Sequence, residues 1–292
     1  MTTQVHVLVP VDGSAATKRA IGYAVQLAER LNAPISFAHV QAPIGSVVEL
    51  RGADEDAKAM LASIAAAYPH VDATTAFVVG KDVACSICDA FPDAIVVVGS
   101  DHAARQPAGP EDSTAEAFVR EAHHHPILVV GPHAESTSLE GPIAIALDGS
   151  KVAEDALLAA LAWTHVFATP LQLVQVVPTR AAAIDTAPPT DYLFSVQAHL
   201  EAGGVAAQCH TVVDNDPVSG LVRHLTEHRC SLVMMATHSR RGIERAAMGS
   251  VTMGVIAASP CAVCAVNPEP LVQLELAAGS PPDHTQLVPR RT

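Results

Sequence analysis

Asp12 and Asp148 each close an apolar run and precede Gly-Ser. They lie in Val9-Pro10-Val11-Asp12-Gly13-Ser14 and Ile145-Ala146-Leu147-Asp148-Gly149-Ser150, 136 positions apart (12 to 148). A carboxylate at a strand end suits the hydroxyls of a ribose, and the N-terminus of the following helix offers N–H groups and a positive dipole end to phosphates. Val40 and Val176 close later apolar runs and offer a face for adenine. Small-residue loops, Gly99 to Ser113 and Ala236 to Ser250, run toward helix starts and supply further backbone N–H groups.

These segments meet only if each copy is an open α/β sheet, with ligands bound outside the carboxyl ends of the strands where strand order reverses. The hydrophobic periodicity predicts that arrangement. In the first copy it predicts strands over Val5–Val11, Pro34–Val40, Ala73–Val79, Ala94–Gly99 and Pro126–Val130. Helices are predicted over Ser14–Leu31, Asp54–Tyr68, Val83–Phe91 and Thr114–Glu121. In the second copy, strands over Ile143–Leu147, Leu171–Val177, Val205–Val213, Leu232–Ala236 and Ala262–Val266 alternate with helices over Ser150–Phe167, Tyr192–Ala202, Pro217–His228 and Gly249–Ala258. Alternation of this kind implies parallel pairing with right-handed crossovers. The expected fold class is therefore α/β, with two tandem Rossmann-like doubly wound domains, each a five-stranded, mostly parallel sheet of order 3-2-1-4-5. The domains fall at 1–131 and 142–268, with a linker at 132–141 and a disordered tail at 269–292, apart from a short turn in Leu271 to Ala278. Both final strands are expected to pair edge to edge, hiding their open edges.

The order of these features resembles the universal stress protein family, in tandem, over roughly Val5 to Gly131 and Pro142 to Pro268. The resemblance is carried by the Asp-Gly-Ser turns, the His-Val or Gln-Val strand ends, the Thr237-His238-Ser239-Arg240-Arg241-Gly242 loop, the Gly249-Ser250 helix start and the closing apolar strands. Family members that bind ATP have a loop of Gly, two residues, Gly, nine residues, then Gly and Ser or Thr. The second copy matches it in length and terminus, with Ala236 and Ser239 in place of two glycines and Gly249-Ser250-Val251-Thr252 at its end. The resemblance thus implies ATP, with Mg²⁺, in the C-terminal domain. Asp148 would hold the ribose, Val176 and Met235 the base, and Ala236, Ser239, Gly249, Ser250, Val251 and Thr252 the phosphates, with Ala146 and Leu147 completing the site. In the first copy the terminal glycine is Asp112. Asp101 and Glu111 add negative charge, and Pro107 and Pro110 remove N–H donors, so no ATP is expected there.

Other candidate chemistry is weaker. Cys85/Cys88 and Cys261/Cys264 have Cys-x-x-Cys spacing, but Cys264 falls on Leu128 at the repeat offset, and Cys88 lies where a short helix faces the sheet. Both read as small buried hydrophobes rather than metal or redox ligands. His123-His124-His125 reads as a solvated helix end, and Arg240, Arg241 and Arg245 as either phosphate partners or a solvated loop face. No metal site is expected.

The chain has 292 residues, 49% of them hydrophobic and 3% aromatic, enough for two domains of roughly 100–200 residues with aliphatic cores. A net charge of −13 argues against nucleic-acid binding. Neither a leader pattern nor a membrane-length apolar run is legible, and six cysteines without a leader fit a reducing compartment, so the expectation is a cytoplasmic protein that is not membrane-bound. No Ser-His-Asp order or P-loop is present. The functional expectation is a stress-response regulatory module that is not an enzyme, although the family includes members with slow ATP hydrolysis or autophosphorylation. It would act through an unknown protein partner and as a homodimer. The alternative is a nucleotide-free interaction scaffold whose two loops have both degenerated.

Overall fold

The computed structural model describes residues 5–43, 47–101, 114–121, 126–134, 139–179, 186–187, 190–236 and 249–266. The first copy runs β1 (His6–Pro10), α1 (Ala15–Leu31), β2 (Ile35–Gln41), α2 (Val47–Ala66), β3 (Ala73–Val79), α3 (Val83–Ala90), β4 (Ala94–Gly99), α4 (Thr114–Glu121) and β5 (Ile127–Val130). The second runs β6 (Ile143–Ala146), α5 (Lys151–Phe167), β7 (Leu171–Val177), β8 (Thr186–Ala187), α6 (Asp191–Ala202), β9 (Ala207–Val213), α7 (Pro217–Glu227), β10 (Leu232–Ala236), α8 (Ser250–Ala258) and β11 (Ala262–Val266). The tail, the possible turn within it, and His123 to His125 lie outside the described residues.

All strands join one sheet of order β3-β2-β1-β4-β5-β11-β10-β6-β7-β9-β8. Each copy keeps the 3-2-1-4-5 order with parallel neighbours. Two features complete the sheet, the first as expected from the closing strands and the second an addition to the five strands expected of each copy. First, β5 and β11 pair antiparallel, Val129 with Val263, Leu128 with Cys264 and Ile127 with Ala265, so the edge N–H and C=O groups of one copy are satisfied by the other. Leu128 and Cys264 are repeat counterparts at the 136 offset, and their direct pairing places a local two-fold axis between them. Second, β8 adds two residues antiparallel to β9, too few to leave a period in the sequence.

Strand alternation sends the two faces of the sheet into two cores. Val7, Val9, Leu171 and Leu173 face the side covered by α1, α2, α5 and α6; Leu8, Val96, Val174 and Val233 face α3, α4, α7 and α8. Helix starts follow capping chemistry: Ser14 Oγ accepts from the Thr17 N–H at 3.1 Å, and Ser150 Oγ from Ala153 at 3.2 Å. Helix α2 spans Val47–Ala66 rather than the expected Asp54–Tyr68. Ala134 and Leu139, in the connection between copies, are buried in the α1/α5 core, so that segment is anchored at both ends of its described part. Where β5 leaves the seam, Gly131 passes so near α8 that a Cβ would sit 1.9 Å from the Ile256 carbonyl oxygen.

Candidate functional site

The Asp-Gly-Ser turns have the same geometry in both copies. Gly13 and Gly149 adopt φ of 80° and 83°, a left-handed conformation that favours glycine. Asp12 Oδ1 accepts from the Ser14 N–H at 2.9 Å, and Asp148 Oδ1 from Ser150 at 2.8 Å. One oxygen of each aspartate therefore stabilises its own turn.

Beyond that bond the copies diverge. In the first, Thr17 Oγ1 donates to Asp12 Oδ1 at 2.5 Å. Burial acts to raise the Asp12 carboxyl pKa, but the hydrogen bonds from Thr17 and Ser14 outweigh it and hold the group below the ordinary carboxylate value. Ala153 occupies Thr17's place in the second copy, so among the described residues Asp148 accepts only from Ser150 and faces solvent with its remaining acceptor capacity.

Ala146, Leu147, Asp148, Val176, Met235, Ala236, Gly249, Ser250, Val251 and Thr252 all line one cavity of about 320 Å³. Ser239, His238, Arg240, Arg241 and Arg245 lie outside the described residues. Sequence reasoning did not single out Ser150, Ala153, Val174, Pro217 or Leu221 as lining residues. Two of these had a usable signal: Val174 shares a strand face with Val176 at the two-residue period, and Leu221 shares a helix face with Pro217 at i+4. The approach of α7 depends on Gly220, where a Cβ would stand 2.9 Å from Val176 Cγ1.

Helix α8 supplies the polar end of this cavity. Its N-cap, Gly249, makes no side-chain cap hydrogen bond, whereas Ser14, Asp82, Ser150, Thr190 and Asp216 all cap their helices. Among the described residues the first N–H groups of α8 therefore lack a side-chain cap, and the residues bearing them line the cavity. With the positive end of the helix dipole, they form a donor set suited to an anion. Ala236 has no left-handed φ, so its Cβ brings no backbone strain. Its counterpart Gly99 is required for a different reason: a Cβ there would meet the Ala16 carbonyl oxygen at 2.2 Å.

The corresponding first-copy cavity, about 260 Å³, is lined by Asp12, Thr17, Val40, Gly99 and Asp101 among others. Two of its carboxylates have partners within the first copy, Asp12 with Thr17 and Asp101 with Arg19. Arg19 pairs with Asp101 and also donates to the Ser100 carbonyl at 3.1 Å. Glu111, Asp112, Pro107 and Pro110 lie outside the described residues.

All six cysteines lie among the described residues, and they form no disulfide there. Cys261 and Cys264 are fully buried, and burial pushes them up to about 11 and about 12, consistent with packing residues rather than nucleophiles. Among the described residues no helix is long and apolar enough to cross a membrane.

The model of the Universal stress protein family matches the chain twice, over residues 5–131 and 141–267. A universal stress protein from Archaeoglobus fulgidus DSM 4304 superposes with a TM-score of 0.70 at 18% identity, covering 90% of this chain and 98% of that one. A functionally unknown protein from Pseudomonas aeruginosa PAO1 superposes with a TM-score of 0.56 at 12% identity, covering 91% and 92%. At these identities the likeness is one of fold. No curated protein matches the chain.

Proposed function

The chain belongs to the universal stress protein family, and on that premise we propose that it is a stress-response regulatory module that binds ATP, with Mg²⁺, in its C-terminal domain. The observation that carries this reading is the uncapped N-terminus of α8 placed in the same cavity as the open carboxylate of Asp148. The donor set at Gly249, Ser250 and Val251 suits phosphates, and Ser250 Oγ suits a phosphate-bound cation. Asp148 would accept from ribose hydroxyls, while Val174, Val176 and Met235 provide apolar walls for a base. The cavity sits at the lower end of the about 300–1,000 Å³ range of small-molecule sites.

The first copy is then a structural partner, since Asp12 Oδ1 carries a second hydrogen bond within its own domain and Asp101 pairs with Arg19. The output in this reading is a contact with a protein partner rather than a chemical product. Exposed Val79 and Phe194 offer apolar surface for such contacts, including with a second copy of the chain.

Calorimetry of Mg-ATP against the full chain and against Gly249→Glu tests the nucleotide reading. The variant places a carboxylate at the phosphate end, so binding by the wild type and its loss in a folded variant are expected. A folded wild type that gives no binding removes this reading and favours the nucleotide-free scaffold.

A further inference from the structure

Far from the Asp-Gly-Ser turn, at the other end of α7, three histidines converge. His210 comes from β9, His224 from the last turn of α7 and His228 from its C-cap. One ring nitrogen from each lies within 4.8 Å of the others. The ring centroids are 4.8 Å apart for His210 and His224, 4.7 Å for His210 and His228, and 4.2 Å for His224 and His228. Strand alternation turns His210 toward the α7 side of the sheet, while His224 and His228 share a helix face at i, i+4.

We propose that His210, His224 and His228 form a binding site for a divalent transition-metal ion of the zinc class. Three observations support it. His210 Nε2 is buried with no hydrogen-bond partner among the described residues, an orphaned lone pair or proton that packing alone leaves uncompensated. His224 is buried and already oriented: its Nε2 donates to Gln172 Oε1 at 2.9 Å, which leaves the lone pair on Nδ1. An acceptor on the far nitrogen is the usual partner of a metal-bound imidazole, because it sets both tautomer and ring orientation. The same Gln172 oxygen accepts from the Cys230 thiol at 3.5 Å, so its acceptor role is shared by two donors.

The fold itself does not require these histidines. By strand register and helix caps, Ala76 and Ala90 stand in the first copy where the second has His210 and His224. Zinc bonds to imidazole nitrogens at about 2.0–2.1 Å, and closing this triangle onto one ion needs inward shifts on the order of 0.7 Å per ring. His228 is exposed, giving the ion a route in and leaving a position for water.

Zinc titration by calorimetry at neutral pH, on full-length chain stripped with chelator, tests the proposal. His228→Ala and His210→Gln are the site variants, and a triple glutamine variant of His123, His124 and His125 controls for the other histidine run. One zinc per chain is expected in the wild type and the triple variant, with loss of that site in His228→Ala and His210→Gln. Absence of binding in the wild type overturns the proposal. So does binding that survives both site variants or disappears only in the triple variant.

Discussion

The Thr17 hydroxyl lies 2.5 Å from Asp12 Oδ1, and its repeat counterpart, Ala153, has no hydroxyl to place against Asp148. Asp12 Oδ1 thus accepts two hydrogen bonds from its own domain, whereas Asp148 Oδ1 accepts one, from Ser150. The difference predicts that Ala153→Thr weakens Mg-ATP binding by about 1 kcal/mol, roughly fivefold, because the ligand must displace an internal hydrogen bond. Titration calorimetry of the variant checks this, and an affinity equal to wild type would mean that Asp148 takes no part.

Truncating the carboxylate itself should cost more. Asp148→Ala removes a carboxylate acceptor worth about 1.5–3 kcal/mol, or roughly 10–150-fold in affinity, whereas Asp12→Ala should leave ATP affinity unchanged. Equal losses in both variants would point to a shared structural role for the two turns.

Much of this site was legible because its parts obey short-range rules. The two Asp-Gly-Ser turns announce themselves, since φ near 80° at Gly13 and Gly149 restricts residue choice. Strand ends such as Val176 and Met235 follow from apolar runs. The Thr17/Ala153 contrast is different: it acquires meaning only when Thr17 is known to fold back on Asp12. The histidine cluster was illegible for a related reason, as β9 and α7 bring His210 to His224 from separate elements. Its His224/His228 half did carry an i, i+4 signal, but fifteen histidines in the chain diluted it. The start of α2 was obscured by Gly52 ahead of the cap-like Asp54.

Helix ends give a stability prediction. Asn32 and Ala168 are repeat counterparts that close α1 and α5 in the left-handed region, at φ of 46° and 50°. Asparagine tolerates this conformation, while alanine pays about 1–2 kcal/mol. Ala168→Gly should therefore stabilise the protein by about 0.5–1 kcal/mol after the entropic cost of glycine. Guanidinium unfolding measures it; a destabilised variant would show that the left-handed conformation carries no strain there.

The seam offers a sharper perturbation. Gly131→Ala drives a Cβ toward the Ile256 carbonyl of the other copy, a backbone atom that cannot rotate away. A loss of about 1–3 kcal/mol is expected from overpacking. Unchanged unfolding midpoints would mean that the two copies separate at the seam without cost.

Alkaline pH should weaken the fold. Burial pushes Cys230, Cys261 and Cys264 up to about 12, about 11 and about 12, while an unfolded thiol ionises near 9.0. Above that value the unfolded chain has lost protons that the folded chain retains, so stability falls as pH rises between about 9 and 11. Denaturation series at pH 8 and pH 10.5 test the sign; equal stability would place these thiols in contact with water.

The central claim is that only the second copy receives a nucleotide. Counting bound ATP by equilibrium dialysis, with Mg²⁺ and the full chain, tests it most directly. The account predicts one ATP per chain, lost in Asp148→Ala and retained in Asp12→Ala. Two per chain, none, or one that disappears with Asp12 instead would contradict it.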